Sequence, residues 1–124
     1  MRQIGVCGMA TALMLMAACS PQTPDNQTVE AKAGVMDHLR CAALISAADH
    51  LMNSGNVPND PAFRQAALVA GMTHLNAHAI PARIAEKDAF AAVDRERARI
   101  IGEIPGEQIV EQAKACVARA GTIR

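Results

Sequence analysis

Apolar positions recur at helical spacing in four stretches of the chain, separated by short turn-forming segments. The first covers about 35–52, with Cys41, Leu44, Ile45, Ala48, Leu51 and Met52 on one stripe. Asn53-Ser54-Gly55 stops it, and Gly55 suits a left-handed cap. The second opens at Asp60-Pro61, an N-cap followed by proline at the first helical position. Phe63, Ala66, Ala67, Ala70, His74 and Ala77 share one of its faces, with Leu68, Met72 and Leu75 beside them. Ile80-Pro81 predicts a break or kink, because the residue before a proline avoids the helical region. The third helix is then expected from about Pro81 to Gly102. Phe90, Val93, Arg97, Ile100 and Ile101 form its later face, and the charged run 94–99 its solvated side. The fourth opens at Pro105 and reaches about Ala120, with Ile109, Ala113, Cys116, Val117 and Ala120 in register. Short loops between amphipathic helices predict an all-α bundle of antiparallel neighbours.

Upstream, the pattern changes. Met1-Arg2-Gln3 precedes an apolar run over residues 4–18, broken only by Gly5, Gly8 and Thr11. Its length suits the core of a signal peptide and falls short of the roughly 20 residues that span a bilayer. The run ends in Leu15-Met16-Ala17-Ala18-Cys19, which resembles the lipobox of bacterial lipoproteins. Met16 departs from the usual leucine, to which it is a near-isostere. Cys7 does not fit, since bulky Val6 precedes it after too short a run.

The resemblance implies a signal peptide over 1–18, cleavage before Cys19, and acyl chains such as palmitate on that cysteine. Two or three chains exceed what stable membrane anchoring requires. It also implies an envelope address. Ser20, where aspartate would mark inner-membrane retention in Gram-negative relatives, points to the outer membrane facing the periplasm. Residues 19–33 are polar and carry Pro21 and Pro24, and are expected to be a flexible tether to a helical domain over 34–124.

Composition removes several classes of function. Twelve basic and twelve acidic residues leave no net charge to draw nucleic acid or anionic lipid. Trp and Tyr are absent and Phe63 and Phe90 are the only aromatics, so stacking on bases or sugars has little to work with. Abundant alanine, with few β-branched or aromatic residues, favours helix over strand.

Beyond the anchor, two cysteines remain. Cys41 lies on the apolar stripe of the first helix and Cys116 on that of the last. In an oxidising envelope this predicts one structural disulfide. No Cys-x-x-Cys is present, and both positions look buried, which argues against redox function.

Other chemistry is sparse. His74-x-x-x-His78 sets two imidazoles one helical turn apart, a spacing that can chelate a transition metal. Two helix-end histidines near carbonyls that favour cations are the simpler expectation. Asp37-His38 and Asp49-His50 are adjacent pairs that point to different sides of a helix and form no acid–base dyad. Ser46 and Ser54 lack the setting of a nucleophile, and no glycine-rich phosphate loop occurs, so no enzyme and no cofactor are expected. Met36, Met52 and Met72 among small alanines would fill a core, or line an adaptable groove for a partner helix or an unfolded client.

The reading is a lipid-anchored accessory or interaction domain, its partner an envelope protein or a second copy of itself. In size, helicity and two cysteines near the ends of the helical region, the chain also resembles the acid-stress chaperones of the bacterial periplasm. Those proteins are not lipidated and their cysteines lie closer together. A client-holding chaperone and a metal-binding envelope protein are the alternatives.

Overall fold

The computed structural model describes residues 22–123, with side chains from His38 onward. The expected signal peptide over 1–18 and the lipidated Cys19 lie outside the described residues. Residues 1–34 and 35–124 form separate units.

Four helices make up the described residues: α1 (Gln22–Asn53), α2 (Pro61–Ala82), α3 (Glu86–Glu103) and α4 (Gly106–Ala120). Among these residues no strand forms. The all-α expectation and its four helices hold.

The second half of α1 is the axis of the core. Between Cys41 and Met52, all but Ser46, Asp49 and His50 are buried. The apolar stripe read from periodicity is there, and Ala42, Ala43 and Ala47 are buried with it. A helix buried all round needs neighbours on every side. α2 meets it through Arg64–Asp49 at 3.0 Å, α3 through Arg40–Glu96 at 3.3 Å, and α4 through the Cys41–Cys116 disulfide. The alanines let those neighbours approach closely. Each large apolar side chain they enclose, such as Leu44 or Ile45, contributes about 1.5–3 kcal/mol.

The predicted disulfide is formed across 75 residues, with Cα atoms 5.3 Å apart and both cysteines buried. α4 runs antiparallel to α1, since Cys116 meets Cys41 while a Cβ on Gly106 would lie 3.6 Å from Leu51 Cδ1 and 2.9 Å from Val57 Cγ1. The missing side chain at Gly106 is what lets α4 begin so close to the loop after α1.

α1 begins at Gln22, well before the expected start near Val35, so residues assigned to the tether are helical from there. Pro24 falls in the first turn, where its missing N–H would have no intrahelical partner, and no further proline follows in α1. α2 starts as expected: the Asp60 carboxylate accepts the Phe63 N–H at 3.0 Å, with Pro61 at the first helical position. Lys114 Nζ lies 3.0 Å from the same carboxylate and joins α4 to this cap. The Phe63 N–H first, then Lys114, hold the Asp60 carboxyl below its ordinary value.

The break after α2 comes later than predicted. Pro81 stays inside the helix, and α3 starts at Glu86 instead of near Pro81. In the last turn a proline forfeits a single backbone bond, so it can be accommodated there. The stop is made by Arg83, left-handed at φ 56°, whose N–H reaches Ile80 O at 3.1 Å while Ile84 N–H reaches Ala79 O at 3.0 Å. α3 lacks a side-chain cap, but Glu86 and Asp88 in its first turn face the positive end of the helix dipole.

Candidate functional site

A groove of about 480 Å³ opens between α1, α2 and α3. Ala42 and Ile45 of α1, Ala67, Gly71 and Leu75 of α2, and Val93 of α3 line it. Its mouth carries apolar side chains that face solvent: Leu68 is 75% exposed, Phe90 41% and Met72 36%. Leu68 was expected beside the buried face of α2, Ala66 on that face and Phe90 on the inner face of α3, yet all three are exposed. The inner faces of α2 and α3 are narrower than the periodicity suggests.

α2 continues this apolar character outward. Residues 65–82 contain no Asp, Glu, Lys or Arg, and Val69 and Ile80 are each 70% exposed. The charges that line the groove are already matched. Arg64 bonds Asp49, and Arg97 lies 3.3 Å from Asp94 and donates to Ser46 Oγ at 3.1 Å. The lining therefore offers no unbalanced charge to an occupant.

The run 94–99 is the solvated side expected, with four of its six residues exposed and none buried. The Glu96 side chain is 17% exposed and bridges Arg40 of α1 to Arg99 of its own helix. Its carboxyl is held below the ordinary value, first by the Arg99 hydrogen bond, while Glu96 in turn raises the Arg99 guanidinium.

Gly71 sits at the groove floor in mid-helix. A Cβ there would meet nothing nearer than Ile45 Cγ2 at 3.7 Å, ordinary van der Waals contact. Packing does not demand glycine, although glycine costs a helix interior about 0.5–1 kcal/mol relative to alanine. Glycine there leaves the groove lining without a side chain at that position.

The ends of the α1–α2 contact are fastened differently. α1 and α2 run antiparallel, with Asp49 against Arg64 at one end and His38 against His74 at the other. His74 is fully buried. Its Nε2 lies 2.8 Å from the Cys116 carbonyl of α4, and its Nδ1 lies 3.2 Å from His38 Nδ1. A carbonyl only accepts, so His74 Nε2 carries the hydrogen and donates.

This corrects the sequence expectation for His74. It is no helix-end histidine near solvent, because α2 runs on to Ala82 and turns His74 inward onto α1 and α4. Its ring partner is His38, 36 residues away, rather than His78 one turn along. Among the described residues, no group of three or more His, Cys, Asp or Glu side chains is placed to hold a metal ion. The periodicity of α2 did put His74 on its apolar face, and that signal was sound.

No helix among the described residues is long and apolar enough to cross a membrane. Comparison with protein-family models, curated proteins and solved structures gives no match to this chain.

Proposed function

We propose that the chain is a non-catalytic lipoprotein of the bacterial cell envelope, anchored through Cys19 and facing the periplasm, probed by its partner at the α1–α2–α3 groove. The occupant is an uncharged, apolar face of a helix on another envelope protein. The observation that carries this reading is the set of exposed Leu68, Met72 and Phe90 beside an apolar lining of Ala42, Ile45, Ala67, Gly71, Leu75 and Val93. Helix-in-groove recognition uses such a surface: apolar anchors at helical spacing enter the groove, and small floor residues let the backbones close. The matched Asp49–Arg64 and Asp94–Arg97 pairs favour an occupant that brings no charge of its own. Leu15-Met16-Ala17-Ala18-Cys19 supports the anchor.

Labelled palmitate and crosslinking in the cells that make the chain test both halves. The account expects label on the chain that is lost in Cys19→Ala, and a crosslinked envelope protein whose joined peptide is an apolar helix. Unlabelled chain would remove the anchor. Recovery of monomer alone under several crosslinkers would remove the docking role, a self-crosslink would assign the groove to a second copy, and broad capture of unfolded chains would favour the client-holding reading.

A further inference from the structure

We propose that His38 and His74 form an acid-opened clasp at one end of the groove; its regulatory meaning rests on the docking role given to that groove above. The proton count follows from the geometry. His74 Nε2 must carry hydrogen in every state that keeps its contact with the Cys116 carbonyl. With both rings neutral, His74 Nδ1 is then a lone pair, and His38 Nδ1 donates to it across 3.2 Å.

One added proton is compatible with this contact. If His38 takes it, the same bond persists. If His74 takes it, His38 carries its hydrogen on Nε2 and its Nδ1 accepts. A second added proton is not compatible. Both Nδ1 atoms then hold hydrogen and face each other, on two cationic rings with centroids 5.4 Å apart. The contact must open, and α1 and α2 separate at that end.

Charged and titratable groups lie near the pair on three helices. On α4, Arg119 brings its Nη1 within 3.8 Å of Cys41 Sγ, one turn of α1 from His38. On α1, Arg40 follows His38 closely and is engaged with Glu96 of α3. On α2, His78 lies one turn beyond His74. The rest of the fold confines the opening. The disulfide keeps α1 on α4, and Arg64–Asp49 keeps the far end of the α1–α2 contact closed. Ala42, Ile45 and Gly71, all groove-lining, lie between the two fastenings and would be uncovered toward the histidine end.

Amide hydrogen exchange on the full chain, without any partner, tests the clasp. The pH is lowered from about 7.5 to about 4.5, bracketing the ordinary histidine range, and rates are corrected for intrinsic exchange. The clasp predicts at least tenfold faster corrected exchange over 38–45 and 71–78, with little change around Asp49 and Arg64. His38→Asn keeps a neutral donor toward His74 and cannot be charged there, so it should abolish most of the acceleration, whereas His50→Asn should leave it intact. No acceleration in the unmodified chain, or equal acceleration in His38→Asn, overturns the proposal. Should His38→Asn fail to fold, imidazole ¹⁵N resonances of the unmodified chain decide. Loss of the ring–ring contact must coincide with the second protonation, and two charged rings still in contact would overturn it. Because no partner is present, an intact acid response with no crosslinked partner would remove the docking role and leave the clasp standing.

Discussion

Replacing Gly71 by alanine should stabilise the domain and weaken docking at the same time. Gly71 is in the interior of α2, where alanine is preferred by about 0.5–1 kcal/mol. The new Cβ would stand 3.7 Å from Ile45 Cγ2, a normal contact that adds a few tenths of a kcal/mol of dispersion at most. The expected net gain is thus about 1 kcal/mol, a rise of roughly 4–8 °C in Tm for a domain of this size. Urea unfolding followed by far-ultraviolet circular dichroism measures it, since the chain has no Trp or Tyr to report by fluorescence. A lower midpoint in Gly71→Ala would refute the reasoning, because it would mean that α2 packing itself requires glycine. Unchanged recovery of the crosslinked partner in Gly71→Leu, which fills the floor with a large side chain, would show that the floor is not where the occupant sits.

Three further outcomes follow from the same structure. Removing the disulfide in Cys41→Ala/Cys116→Ala should cost about 4.5 kcal/mol by the loop-entropy relation for a 75-residue closure, read as a fall in the urea midpoint. Arg83→Gly should stabilise by about 1 kcal/mol, because glycine adopts the left-handed backbone at φ 56° without strain, and thermal unfolding measures the gain. Asp60→Ala should lower the thermal midpoint near neutral pH by removing the cap on Phe63 N–H, while Asp60→Asn keeps the cap and should lower it less. The folded-state value of Asp60 lies below its ordinary 3.8, so its charged-state contribution is present above that pH and is lost as pH falls through the folded value. Asp60→Asn should flatten the acid limb of stability against pH in that window.

Much of the fold was legible because local rules and burial agree. Asp60-Pro61 marked the start of α2, and Cys41 and Cys116 could be paired because each sits on the apolar stripe of its own helix. The end of α2 was misplaced because proline carries a clear local signal, whereas a left-handed arginine has none in the sequence. The groove was harder still. Leu68 and Phe90 are large and apolar, and nothing in their spacing says that they face outward. The histidine pair was read from the wrong partner, since spacing within one helix reveals His78 but not the antiparallel register that brings His38 to His74. Of the methionines expected to fill a core or line a groove, Met52 belongs to the core and Met72 lines the groove, while the Met36 side chain lies outside those described.

The central claim is that another protein's apolar helix occupies the groove. Site-specific photo-crosslinking from position 68 in the full chain, compared with position 111 on the charged, exposed side of α4, tests it most directly. The account predicts a discrete adduct from position 68, mapped to an apolar helical peptide, absent from position 111 and lost when Gly71→Leu fills the floor. Equal adducts from both positions, or an adduct from 68 that survives Gly71→Leu, would contradict it.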